Sequence, residues 1–219
     1  YTNAFTICIT GSNGKTTTRS FVHDVLRTTI PVAQTRENWN NDIGLPLSLL
    51  RMNREHKAAV VEMGANHAAE ISTLSRICMP DIGIITNIGY AHVGRFGSLK
   101  KTLAAKWEIT DGMRLRDGVL LLNGDDRRLV ERARGERRTI VFFGTHRRCA
   151  LRATDIEYAG GSRVRFRVDG TTFTLHTAGR HFVYAALPAI FCARRFGMSD
   201  EQTAAALQTV KPVDLRGGI

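Results

Sequence analysis

The chain has 219 residues, 43% hydrophobic and 23% charged, a globular composition that excludes a disordered, collagen-like or coiled-coil protein. Lys and Arg total 31 against 20 Asp and Glu, a formal net charge of +11, which favours anionic partners: nucleic acid, anionic lipid or phosphorylated small molecules. No stretch approaches the roughly 20 apolar residues that span a bilayer and no signal-peptide pattern opens the chain, so a cytoplasmic protein without a membrane span is expected.

The elements alternate through the first two-thirds of the chain. Residues 5–9 form a short apolar strand that runs into a Gly-rich turn and a helical stretch to about Thr29. A second buried strand is expected over 58–61, with a helix over about 67–77. A third strand spans 82–88, followed by a helix over about 98–112, and strands over 119–122 and 139–143 complete the set. Continuous apolar strands between helices predict an α/β fold, a mostly parallel sheet with helices on both faces in the manner of P-loop nucleotide-binding proteins. From Leu151 to His176 apolar and polar residues alternate, with Gly160-Gly161 and Asp169-Gly170 as turn signals, so a small antiparallel β element over 151–176 is expected. Helices over about 180–196 and 199–208 follow, the first interrupted by Pro188, which is expected to kink it. Residues 212–219 read as a linker, and a first residue that is Tyr rather than Met predicts a processed or partial polypeptide.

Charge and cysteine usage narrow the partners. Fourteen arginines lie between Arg114 and Arg167 among only seven acidic residues. With aromatics at 7% and no reading module, a solvated basic face is expected there rather than a nucleic-acid surface. Cys8, Cys78, Cys149 and Cys192 form no CxxC pair, so reduced buried thiols are expected.

Four places carry chemistry. Thr10-Gly11-Ser12-Asn13-Gly14-Lys15-Thr16-Thr17 lies between a strand and a helix, a shortened GxxGKT whose backbone N–H groups suit phosphate oxygens. Lys15 would meet β/γ-phosphates there, and the Thr16 hydroxyl would ligate Mg²⁺. Glu62 directly follows the second strand and His92 lies beyond the third, both at the sheet edge where ligands gather, and a carboxylate there suits a nucleotide-bound metal. Lys106 shares an apolar helix face with Leu99, Leu103 and Ile109, where it either snorkels to water or is a buried amine with a lowered pKa.

These segments together resemble the central, ATP-binding domain of the Mur ligases. The likeness is carried by residues 10–17 (TGSNGKTT), 35–50 (TRENWNNDIGLPLSLL), 62–66 (EMGAN), 87–109 (NIGYAHVGRFGSLKKTLAAKWEI) and 123–126 (NGDD). Within that family the wording is most like the members that join D-alanyl-D-alanine to UDP-N-acetylmuramoyl-tripeptide through an acyl phosphate. The resemblance implies ATP held by Gly11, Ser12, Asn13, Gly14, Lys15, Thr16 and Thr17, with Asn123 and Asp126 near adenine and ribose. It implies one Mg²⁺ on Thr16 and Glu62 and a second on His92 and Lys106, with Lys106 carbamylated by CO₂. Lys15, His92 and Lys106 would be catalytic, and Asn38, Asn40 and Asn41 would lie near the reacting phosphate or substrate, unless they only cap loops. Residues 179–186 (GRHFVYAA) resemble a family GRHNxxNA segment beside the base, with Phe182 and Ala185 in place of its asparagines, so Arg180 and His181 alone carry over. Residues 1–211 would form the central domain of a monomeric enzyme, lacking the family's N-terminal UDP-binding domain and its C-terminal domain. A different ligase of the same superfamily, folylpolyglutamate synthase-like or another Mur step, and a basic nucleotide-dependent binding module remain as alternatives.

Overall fold

The computed structural model describes residues 3–36, 39–90, 97–160, 162–177 and 179–211. Among these described residues, ten strands run in chain order as β1 Phe5–Thr10, β2 Val32–Gln34, β3 Ala58–Glu62, β4 Ile82–Ile85, β5 Val119–Asn123, β6 Thr139–Gly144, β7 Leu151–Arg152, β8 Thr154–Ala159, β9 Arg163–Val168 and β10 Thr171–Leu175. The helices are α1 Lys15–Leu26, α2 Gly44–Leu50, α3 Glu70–Cys78, α4 Leu99–Trp107, α5 Arg127–Ala133, α6 Arg180–Arg195 and α7 Asp200–Thr209, with a 3₁₀ turn over Glu108–Thr110.

Seven parallel strands form one sheet in the order β2-β3-β1-β4-β5-β6-β7. From β1 the chain passes to the edge strand β2, returns to β3 between the two, then crosses to β4 on the other side of β1. β1 and β4 therefore flank the point where the winding reverses, and ligands in such sheets bind beyond the carboxyl ends of strands at that reversal.

Side-chain alternation along the central strands feeds two cores. Ile7 and Ile9 of β1 and Val60 of β3 pack with α1, α6 and α7, while Cys8, Ala59 and Val61 face α2, α3, α4 and α5. Helices on both faces are what buried strands of this kind require. All four cysteines are free and buried. None of the helices is long and apolar enough to cross a membrane among the described residues.

β8, β9 and β10 form a separate antiparallel sheet. Its inner face, Val164, Phe166, Val168, Phe173 and Leu175, joins the α1–α6 core. Phe166 and Phe173 sit directly opposite each other with rings stacked at 5.7 Å. Asp169 and Gly170, at φ 49° and 87°, make the tight hairpin that their residue types predict.

Several elements differ from the sequence reading. Leu151 and Arg152 pair parallel with β6 and belong to the main sheet, so the antiparallel element begins at Thr154. The third strand ends at Ile85, because residues 86–89 leave the ladder to bind the first loop. The helix expected from 67 begins at Glu70, whose carboxylate turns back to accept the amides of Asn66 and His67. Pro188 lies buried inside α6, within the helical pattern where the sequence placed it. β2, α2 and α5 were not anticipated. The 212–219 segment lies outside the described residues.

Candidate functional site

β1 ends at Thr10, and residues 11–14 form a loop that starts α1. Gly14 is the N-cap of α1 at φ 79°, and no side chain caps the helix. The first-turn N–H groups therefore remain available to an anion at the positive end of a 12-residue helix. Gly11 has φ 142°, and a Cβ there would overlap the Thr86 hydroxyl, so only glycine fits. The Lys15 ammonium folds back over the loop and donates to the carbonyls of Gly11 (3.0 Å) and Ser12 (3.3 Å). Burial lowers its pKa, partly opposed by Glu62, which places Lys15 within electrostatic reach of that carboxylate. Thr16 and Thr17 follow in the first turn of α1.

The loop is braced by residues 86–89 from the end of β4. The Ser12 amide donates to the Asn87 carbonyl at 3.0 Å. The Asn13 amide donates to Asn87 Oδ1 at 3.1 Å, and Asn87 Nδ2 returns a bond to the Asn13 carbonyl at 2.9 Å. Thr86 Oγ1 donates to that same carbonyl at 2.6 Å, and the Gly89 amide donates to Ser12 Oγ at 2.8 Å.

Glu62 closes β3 and is 2% exposed. Its Oε1 accepts from Asn40 Nδ2 at 2.9 Å, and Arg19 of α1 lies 3.7 Å from Oε2. Oε2 accepts no hydrogen bond among the described residues. A buried carboxylate oxygen without a hydrogen bond costs free energy unless a cation meets it; Arg19 supplies one at 3.7 Å, and a carboxylate in this setting is also of the type that ligates an oxygen-bound divalent ion. Asn40 is fixed in turn, because its carbonyl accepts the Gly64 amide at 2.8 Å. Asn41 Oδ1 accepts the amides of Ile43 and Gly44 and so caps the start of α2. Asn38 and His92 lie outside the described residues.

Lys106 is 1% exposed on α4. Burial, followed by the Lys15 ammonium, lowers its amine to about 8, against the pull of Glu108 and Glu70. The two lysines, from segments 91 residues apart, therefore face the same region. Glu108 accepts the Ala69 amide at 2.8 Å and the Ser72 amide at 3.2 Å, joining the end of α4 to the start of α3.

Further along the rim, Asn123 Nδ2 donates to the Thr86 carbonyl at 2.9 Å, and its Oδ1 accepts the Asp125 amide. Asp126 Oδ2 accepts the Ile88 amide at 2.7 Å, and its Oδ1 caps α5 through the Arg128 amide at 3.0 Å. Asp125 gathers the Thr145 amide, the Thr145 hydroxyl, the His146 amide and the Tyr184 hydroxyl, all within 2.9 Å. Burial raises the Asp125 pKa, but these donors outweigh it and the net shift is downward. Arg180 reaches the Thr145 hydroxyl at 3.4 Å. His181 packs against Phe182, whose ring stacks on Phe21 of α1 at 6.0 Å, so Phe182 serves the α1–α6 contact.

The structure thus brings Lys15, Glu62, Asn40 and Lys106 to one stretch of the rim, and Asn123, Asp126 and Arg180 to its continuation. Sequence reasoning missed Arg19, Thr86, Glu108, Asp125 and Tyr184. All of them but Arg19 carried a local signal, each lying in or beside a motif already singled out.

A parallel α/β sheet with a glycine–lysine loop at its winding reversal defines a phosphate-binding P-loop architecture. Residues 9–193 match the family model of the Mur ligase middle domain, and the chain belongs to the Mur ligase family. It is 38% identical over 212 residues to a UDP-N-acetylmuramoyl-tripeptide–D-alanyl-D-alanine ligase from Bacillus subtilis (strain 168), covering 96% of this chain and 45% of that protein. It superposes with a TM-score of 0.89 and 33% identity on a crystal structure of MurF from Acinetobacter baumannii, covering 97% of this chain and 47% of that one. A MurF ligase from Thermotoga maritima solved with ADP matches with a TM-score of 0.85 and 27% identity, over 97% of this chain and 50% of that one. The chain therefore spans about half the length of these relatives.

Proposed function

We propose that this chain is the ATP-binding central domain of a ligase that joins D-alanyl-D-alanine to UDP-N-acetylmuramoyl-tripeptide in peptidoglycan precursor synthesis. The reading is carried by the convergence of Lys15, Glu62 and the buried Lys106 amine on one stretch of rim. ATP would lie along it, its phosphates on the loop of residues 11–17, the first-turn N–H groups of α1 and the Lys15 ammonium, its base towards Arg180 and His181. Thr16 and Glu62 would hold one Mg²⁺, and His92 and Lys106 a second. Magnesium, when bound, supplies neutralisation of phosphate charge. The lowered Lys106 pKa supports its carbamylation, since CO₂ adds to the unprotonated amine and leaves an anionic oxygen.

The substrate carboxylate attacks the γ-phosphorus and ADP departs; the amine of D-alanyl-D-alanine then attacks the acyl carbon and phosphate departs. The residues named here contribute by positioning and by opposing charge as it develops. Asn40 acts by fixing Glu62, and Asn41 by fixing the start of α2; Asn38 would serve the substrate. The enzyme would work as a cytoplasmic monomer.

The test is phosphate release by the full-length protein with the UDP-tripeptide and a panel of amines. Stimulation by D-alanyl-D-alanine is expected, with a loss of roughly 10³-fold in Lys106→Ala and partial rescue by a short-chain carboxylate. Release that ignores the amine, or a Lys106→Ala variant turning over at the parent rate, would overturn the reading.

A further inference from the structure

The brace behind the phosphate loop has a second layer. Residues 86–89 hold Ser12 and Asn13 on one side, and on the other they are held by Asn123 and Asp126. Ile88 stands between Asn87 and Gly89, the two residues that grip the loop, and its amide is fixed by Asp126 Oδ2 at 2.7 Å. The Thr86 carbonyl is fixed by Asn123 Nδ2 at 2.9 Å. Asp126 has only 8% of its side chain exposed, and its second oxygen is committed to the first turn of α5. The second polar atom of Asn123 is committed to the Asp125 amide. All four side-chain polar atoms of this pair are thus engaged with backbone groups. Bonds of this kind, charge-assisted or buried, are the costly ones to lose, and with Asp126 so little exposed the pair serves the backbone before any base or ribose.

We propose that Asp126, with Asn123 beside it, is a positioning residue for the phosphate loop that acts through residues 86–89 and touches neither base nor ribose. The inference rests on the nucleotide reading given above. Asp126 sets the height of the Ile88 amide, this fixes Asn87 and Gly89, and these hold Ser12 and Asn13, which set the course of the loop into the first turn of α1. Loosening the chain of bonds costs the loop its preformed geometry, so every ligand with a polyphosphate suffers alike.

The experiment uses the full-length protein and displacement of a fluorescent ATP analogue by Mg²⁺-ATP, Mg²⁺-2′-deoxy-ATP and Mg²⁺-tripolyphosphate. In Asp126→Ala, all three competitors are expected to weaken by a common factor of about tenfold. Asp126→Asn, which keeps one acceptor, guards against a variant that fails to fold, and there faster hydrogen exchange is expected at Ser12 and Asn13 while the β9–β10 amides stay protected. Loss confined to the two nucleotides, with tripolyphosphate unchanged, would place Asp126 on the nucleoside and overturn the proposal. Unchanged affinity for all three, or exchange that rises equally in both regions, would also overturn it. A parent protein displaced by no competitor would refute the nucleotide reading itself, and this inference with it.

Discussion

The rim around the phosphate loop and the outer face of the β8–β10 sheet are both rich in charge, yet they spend it in opposite ways. On the rim, Glu62 and Lys106 are buried to 2% and 1% exposure, and the nearby Asp126 is tied to backbone amides. On the small sheet, Arg165 meets Glu157 at 2.8 Å with 54% and 60% of the side chains exposed, and Arg167 meets Asp155 at 3.9 Å with 51% and 59% exposed. A charge taken out of water must be compensated by specific geometry, whereas a solvated pair exchanges one set of partners for another at little net gain. The basic composition therefore marks no site by itself, and the few charges that are buried mark one.

The rim is most sharply tested where it tolerates no side chain. Gly11→Ala would place a methyl on the Thr86 hydroxyl at a backbone φ of 142°, a conformation that an L-residue adopts only with strain. The methyl presses on the oxygen that bonds the Asn13 carbonyl, so the loop and its brace must separate. A destabilisation of about 3 kcal/mol is expected, read as a lower thermal midpoint, together with loss of nucleotide binding. A variant that keeps both would show that the 86–89 brace gives way easily and would erase the contrast between the two regions.

Much of this was legible beforehand for local reasons. Apolar runs separated by helical periods marked β1, β3, β4, β5 and β6, and the apolar stripe marked Lys106 as either snorkelling or buried, of which the fold shows the second. β2 has three residues, and α5 buries only Leu129 and Ala133 among charged neighbours, too little for periodicity to register. α2 carries a proline in its first turns and leaves Leu47 and Leu50 exposed, which hides its pattern. The departure of residues 86–89 from β4 and the gathering of Thr145 and Tyr184 around Asp125 depend on partners 20 to 77 residues apart. No spacing rule reaches such contacts, because the fold alone decides them. The same reason explains why Asn123 and Asp126, noticed for their wording, prove to face the backbone of another strand end.

Asp125 probes the part of the rim that is only partly shielded. Asp125→Asn removes a charge that accepts four hydrogen bonds and sets an amide donor against N–H groups. A loss of about 1–2 kcal/mol is expected, discounted for solvent access. The folded state holds the Asp125 pKa below its ordinary value, so its stabilisation is present in full above the usual carboxylate range. It fades as pH falls through that range and then through the lower folded value. Denaturant midpoints of parent and variant should therefore differ at pH 7 and converge in acid. A difference that persists unchanged at low pH would show that the carboxylate charge is not what Thr145 and Tyr184 hold.

The smallest effect belongs to the small sheet. Glu157→Ala removes the partner of Arg165, but both side chains are more than half exposed and the guanidinium recovers water. A change within about 0.5 kcal/mol is expected, and it should shrink further in salt because exposed charges are screened. The inner face of the same strands predicts the reverse: Phe166 and Phe173 are fully buried, so Phe173→Ala should cost about 3–5 kcal/mol with no salt dependence. The ratio between these two variants measures how much of that sheet is core and how much is solvated charge. Equal losses would mean that its arginines carry an energetic role that their exposure denies.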